Sequence, residues 1–328
     1  MIRRRNLLIA LGASALTAPL ASFAQQVKKV YRIGVLETTS TVLNAANIDA
    51  FRQGLRELGY VEGQNLEIVY QASDGHDERF PSLAAELVRL KVDLILTRGT
   101  PAVVAAKNAT RTIPVVMTAS GDPVGSGLIL SLARPGGNVT GLSTAITELY
   151  AKRVELLREL LPKLERVAAF FNMGNVSIPP QWRVVEASAR SLGVEPQLLD
   201  VRRREDLERA FDTAAKQRAD ALVVGLDGVT QANLQLIVDL AAKQRLPAIY
   251  ASREFVDAGG LITYGVSYPQ LYRQAATFVN KILKGAKPTD LPVELPTVFD
   301  LVINMKPAKA LGIKIPNSIL ARADKVIE

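Results

Sequence analysis

Residues 92–118, VDLILTRGTPAVVAAKNATRTIPVVMT, hold one complete strand–helix–strand unit. Val92 to Thr97 and Ile113 to Thr118 are short apolar runs of strand length. Between them Thr100-Pro101 reads as an N-cap followed by a first helical residue, and the helix runs from Pro101 to Ala109. Two apolar strands joined through a helix imply a parallel pair with a crossover connection.

The same unit repeats in both directions. Upstream, Val30 to Leu36 and Asn65 to Tyr70 read as strands. A helix over Ile48 to Leu58 places Phe51, Leu55 and Leu58 on one face and stops at Gly59. Another helix covers Phe80 to Leu90. Val139 to Ser143 reads as a strand-like passage between lobes. Downstream, a helix over Glu148 to Leu161 opens a second set. Its strands are Val167 to Phe171, Gln197 to Val201, Ala221 to Leu226 and Pro247 to Ala251. Its helices are Gln181 to Leu192, Glu205 to Arg218 and Gln231 to Arg245. The tail adds a strand at Leu261 to Val266, a helix at Leu271 to Leu283, and a largely extended stretch from Pro292 to Asn304.

The expected fold class is therefore α/β, with two Rossmann-like lobes built on parallel sheets and joined by a hinge of several crossovers. Lobe one covers 27–142, with 268–300 returning to it. Lobe two covers 143–267, with part of 301–328 added.

The first residues read as an export signal. Met1 to Arg5 carries three arginines, Leu7 to Leu20 is apolar or small, and Ser22-Phe23-Ala24 offers small residues before Gln25. Cleavage after about Ala24 is expected, with Sec and Tat export both open. The apolar run is too short to span a bilayer. With no cysteine in the chain, lipid attachment and disulfides are both excluded. A free protein of the Gram-negative periplasm is the expectation. The 40 basic residues are scattered among 32 acids, and aromatics are only 5% of the chain. That pattern argues for solvated helix faces and against a nucleic-acid groove.

In open α/β sheets, ligands bind beyond the carboxyl ends of the strands. The candidate ligand-binding residues sit in those loops. In lobe one they are Glu37, Thr38 and Thr39, then Thr100 and Pro101, then Ser120 and Asp122. Thr100 and Asp122, each before a proline, read as helix caps, and a helix N-terminus favours an anion. In lobe two they are Asn172, Asn175, Asp227 and Ser252, with Tyr264 near the hinge. Asn and Asp in such places also serve plain turn formation. Tyr268 and Tyr272 share one helix face, and Trp182 reads as core.

Catalytic patterns are weak. His76 is the only histidine and lies in the polar loop Ser73 to Glu78. It alone could serve a triad, and histidine or cysteine metal ligands are lacking. There is no P-loop, no G-x-G-x-x-G after the first strand and no G-x-S-x-G elbow. No catalytic residue, metal site or cofactor is assigned, and the chain is not expected to be an enzyme.

Several segments carry a resemblance. They are Ser120-Gly-Asp-Pro-Val124, Arg134-Pro-Gly-Gly-Asn-Val-Thr-Gly141 and Tyr264-Gly-Val-Ser-Tyr268. They continue with Lys281-Ile-Leu-Lys-Gly-Ala-Lys-Pro288, Leu301-Val-Ile-Asn304, Ala308-Lys-Ala-Leu-Gly312 and Ile315-Pro316. As a set they resemble the ABC transporter substrate-binding family that includes tryptophan- and tyrosine-type binding proteins. The resemblance runs from about residue 30 to the end. It implies a periplasmic binding protein of type I that closes on a small-molecule solute and docks, as a monomer, on a membrane permease. The chain departs from the family in its first loop, where aromatic amino-acid binders often carry His-Pro and this sequence reads Glu37-Thr-Thr-Ser-Thr-Val-Leu-Asn44. A periplasmic sensor and a secreted enzyme remain as alternatives.

Overall fold

A computed structural model describes residues 29–144 and 146–328. The expected export signal lies outside the described residues. The first sheet is built from β1 (Tyr31–Glu37), β2 (Leu66–Ala72), β3 (Leu94–Arg98), β4 (Val115–Ser120) and β5 (Val139–Ser143). Its order is β2-β1-β3-β4-β5, with every pairing parallel. Helices α1 (Ala45–Glu57), α2 (Phe80–Arg89) and α3 (Thr100–Ala109) connect its first four strands. The sequence placed 139–143 in a passage between lobes. The segment instead pairs with β4 as an edge strand of the first sheet.

The second unit begins at α4 (Ile146–Leu160) and continues through β6 (Arg166–Phe171), α5 (Ile178–Ser191), β7 (Glu195–Asp200) and α6 (Asp206–Lys216). It runs on through β8 (Ala221–Val224), α7 (Gly228–Ala232), α8 (Leu234–Lys243), β9 (Ala248–Tyr250), α9 (Arg253–Asp257) and β10 (Ile262–Val266). The chain then crosses to the first lobe as α10 (Tyr268–Leu283). Helix α10 lies along α1, and the two come close enough that a Cβ on Gly54 would sit 2.9 Å from the Ala276 methyl. Only glycine permits that approach.

The last elements return to lobe two. They are β11 (Phe299–Asn304), α11 (Met305–Leu311), α12 (Asn317–Leu320) and β12 (Lys325–Ile327). The second sheet reads β12-β11-β10-β9-β8-β6-β7, with β11 antiparallel to β10. The chain thus passes between lobes after β5, after β10 and before β11. A bridge from Leu142 to Glu294, with Ser143 N–H donating to the Glu294 carbonyl at 3.0 Å, ties two of these passages together. Of the stretch expected to be largely extended, 292–298 forms this linker and Phe299–Asn304 forms β11.

Each sheet is covered by helices on both faces. Phe51, Leu96, Tyr272 and Phe278 pack one face of the first sheet, and Phe80, Leu87 and Val103 the other. Phe170 and Phe211 meet edge-on at 4.8 Å in the second lobe. Trp182 packs beside Phe171 against the core, as its helical position suggested. Among the described residues, no helix is long and apolar enough to cross a membrane.

Candidate functional site

The carboxyl ends of β1, β3 and β4 face those of β6 and β8 across a cleft between the lobes. It holds about 480 Å³ of atom-free space, part of it open to solvent. The lobes touch across it. The Thr38 hydroxyl donates to Gln231 Oε1 at 3.3 Å, and Asn47 Nδ2 donates to Glu254 Oε1 at 3.4 Å. Asp77 of the first lobe lies against Gly228 of the second, where a Cβ would stand 3.2 Å from Asp77 Oδ1.

On the first wall, β3 ends in Arg98, buried within the lobe yet lining the cleft. Its guanidinium stacks 4.1 Å over the Tyr268 ring, and its Nη1 donates to Asn44 Oδ1 at 3.3 Å. Nη2 has no hydrogen-bond partner and lies 3.7 Å from Glu254 of lobe two. Gly99 follows with φ +85°, a left-handed turn that swings the chain into α3. Gly99, rather than Thr100, therefore occupies the cap position, and Thr100 and Pro101 are the first helical residues. Both line the cleft. The Thr100 hydroxyl is paired with that of Ser120 at 3.2 Å.

The other lobe-one candidates divide. Thr38 lines the cleft. Glu37 is fully buried beneath it and accepts a hydrogen bond from the Tyr272 hydroxyl. Burial pushes its carboxyl up to about 7, opposed by the Arg98 charge and by the Tyr272 hydrogen bond. Thr39 is buried and offers its carbonyl to the Tyr70 hydroxyl at 2.7 Å. Asp122 corrects the sequence reading. No helix follows it; Pro123 to Gly127 form turns, and Asp122 Oδ1 accepts from Gly125 N–H at 2.8 Å.

On the second wall, Asp227 organises its neighbours. Its Oδ1 accepts from Asn172 Nδ2 at 3.0 Å and from Val229 N–H at 3.0 Å, while Oδ2 accepts from Asn175 Nδ2 at 2.9 Å. Asp227 is also the N-cap of α7, and the Thr230 side chain closes a capping box with it. Asn175 and Asp227 line the cleft, whereas Asn172 supports them from behind. Ser252 is buried before α9 and caps nothing with its side chain. Tyr264 does not face the cleft. Its ring lies by Phe299 at 6.3 Å, in a separate hollow with Lys152 and Arg322.

Arg98, Ser177, Gln181 and Gln231, none of them a candidate from sequence, also line the cleft, as does Tyr268 from the tyrosine cluster near the hinge. Gln231 stands four residues after Asp227, one helical turn on, which was the available signal. Gln181 is buried, donates to the Ser177 carbonyl at 2.9 Å and keeps Oε1 without a partner. Among the described residues no group of three or more His, Cys, Asp or Glu could hold a metal ion.

Two hinged α/β lobes closed on a shared polar cleft define a binding protein of the periplasmic type I class. Residues 32–327 match the family model described as ABC transporter substrate binding protein, and the chain belongs to that family. It is similar to a tyrosine-binding protein of Clostridioides difficile, 28% identical over 291 residues, or 88% of this chain and 82% of the relative. Among solved structures it resembles an ABC domain from Streptococcus pneumonia in complex with L-Trp. The TM-score is 0.83 at 29% identity, covering 91% of this chain and 100% of the other. A ligand-free, open substrate-binding protein from Clostridium difficile gives a TM-score of 0.65 at 27% identity, over 91% and 99%.

Proposed function

We propose that the mature protein is the periplasmic receptor of an ABC importer, taking one small amino acid or related carboxylate between its lobes and presenting it to a membrane permease. The observation that carries this reading is the cleft itself. Buried polar groups from both lobes converge on it with hydrogen-bonding capacity to spare, notably Arg98 Nη2 on one side and Gln181 Oε1 on the other. Buried polar atoms without partners are costly, and a ligand that supplies the complement relieves that cost.

Thr38, Thr100 and Pro101 form the lobe-one contacts in this reading, and Asn175, Asp227, Gln181 and Gln231 the lobe-two contacts. Solute bridging both sets favours closure, the hinge motion typical of such receptors. The named relatives support an amino-acid ligand.

A thermal-shift screen of the mature protein against amino acids, aromatic acids and small carboxylates tests the proposal. A true ligand at 100 times its Kd should stabilise by about 2.7 kcal/mol. A flat response across the panel would overturn the receptor reading.

A further inference from the structure

We infer that Arg98 is the carboxylate receptor of the cleft and sets its preference for anionic solutes. This rests on the receptor reading above and deepens it.

Arg98 is 4% exposed, and a guanidinium stays charged at any pH the protein meets. Such a buried cation needs a counter-charge close enough to bond. Two acids flank it, Glu37 and, as an ion pair at 3.7 Å, Glu254, yet neither takes a hydrogen bond from Nη2. Glu37 accepts the Tyr272 hydroxyl and gives no hydrogen bond to Arg98. Glu254 comes from the opposite lobe and stands 3.7 Å from Nη2, beyond hydrogen-bond reach. Its own Oε1 is engaged by Asn47.

The rest of the side chain is fixed in place. Tyr268 supports its face at 4.1 Å, and Asn44 holds Nη1. That leaves Nη2, buried 3.7 Å from Glu254, as a donor without a hydrogen bond on a residue that lines the cleft. A second buried guanidinium, that of Arg153, lies outside the cleft lining. Arg153 is fully buried, stacks 4.3 Å over Tyr150, and donates through Nε to the Tyr264 carbonyl at 2.8 Å. Both its Nη atoms lack partners, and among the described residues it forms no salt bridge. The start of α3, a ten-residue helix, follows Arg98 directly and lends its positive end.

One ligand group fits this set: a carboxylate that takes Nη2 and the adjoining N–H groups of α3. A planar guanidinium suits a carboxylate in two-point fashion. The opposite wall, with the Gln181 Oε1 acceptor and Asp227, suits the donor end of the same solute.

The test is calorimetry on the mature protein with L-tyrosine, L-tryptophan and their carboxamides. The wild type should bind each acid about 100-fold more tightly than its amide. In Arg98→Gln the acid and the amide should fall within about threefold of each other. Arg98→Lys keeps the charge but not the planar fork, and should weaken acid binding about tenfold. If Arg98→Gln does not fold, the wild-type acid-to-amide ratio and the lysine variant decide. Equal binding of acid and amide by the wild type would overturn the inference and leave the receptor reading standing. So would binding of a neutral solute in the thermal screen with no response to either acid. No response to any solute overturns both.

Discussion

Around Asp227 the second-lobe wall of the cleft is self-satisfied, with Gln181 Oε1 left as an unpaired acceptor on it. The carboxylate oxygens of Asp227 take three donors, those donors fix the Asn172–Asn175 loop, and Thr230 completes the cap. The first-lobe wall, facing it, is left with vacancies. Arg98 Nη2 makes no hydrogen bond although it stands 3.7 Å from Glu254, and Glu37 below it keeps Oε2 unpartnered while Tyr272 holds Oε1. The contrast implies a division of labour. A wall whose groups bond one another holds its shape in the absence of solute. A wall with unspent donors gains most when solute arrives.

The strongest way to break this contrast is to dismantle the finished wall. Asp227→Ala removes the acceptor shared by Asn172, Asn175 and Val229 and the cap of α7. Two buried amides are left without partners, so unfolding free energy should fall by about 3 kcal/mol, read by urea titration. Solute affinity should fall with it, because Asn175 loses its position. An unchanged urea midpoint would mean that the loop is held by something other than Asp227.

The next effect is set by pH where the walls meet. Burial, then Asp227 and Glu78, raises the Asp77 carboxyl well above the usual carboxylate range. His76 faces Glu78 at 3.3 Å, and Arg79 is turned to Asp74 and the Ser73 carbonyl. A raised carboxyl binds its proton more tightly in the folded, closed protein than in the unfolded chain. Its contribution is full below the unfolded value of about 4 and is lost as pH rises to about 7. Glu37, also raised to about 7, adds a second loss of the same sign. Asp77→Asn should therefore stabilise the protein at pH 8 by about 2 kcal/mol and change little near pH 4. Melting curves across pH 4 to 8 with an unaltered slope would show that the two lobes do not press these carboxyls together.

One wall of the cleft is more legible in the sequence than the other. Asp227 and Asn175 stand in strand-end loops, and such loops are visible from the alternation of apolar runs and helices. Arg98 was passed over because charge burial is a tertiary fact; nothing local marks a strand-terminal arginine as sealed under Tyr268. For the same reason Glu37 reads from sequence as the first residue of a ligand-binding loop, although it is the last residue of a buried strand. Tyr264 was misassigned because hinge proximity says nothing about which face of β10 a side chain takes. The return of α10 to lobe one follows from its apolar face, which finds α1. The pairing of β12 with β11 spans only three residues, too short a pattern to recognise in advance.

A smaller effect sharpens the contact between the walls. Gln231 reaches from α7 to accept the Thr38 hydroxyl at 3.3 Å. Gln231→Ala removes that bridge without touching the Asp227 network. One neutral hydrogen bond is worth about 1 kcal/mol, so solute affinity should fall about fivefold while the urea midpoint barely moves. Small-angle scattering of the solute-free variant should show a larger radius of gyration as the open form gains population. Equal radii for wild type and variant would remove Gln231 from closure.

The smallest effect belongs to Asp122, which the sequence had grouped with the ligand-binding loops. Its carboxylate is spent on the Gly125 N–H inside a turn, and Gly121, not Asp122, borders the cleft. Asp122→Ala should leave solute affinity within about twofold and reduce stability by about 0.5 kcal/mol, the loss of one exposed turn bond. The comparison that matters is with Asp227→Ala. Both variants delete an aspartate that follows a strand, and both aspartates bond nearby backbone N–H. Only Asp227 also gathers side chains from a second loop, and only its loss should change binding, as calorimetry on the two variants side by side would read out. A large loss of affinity in Asp122→Ala would place the 121–127 turns at the solute and move the first wall outward.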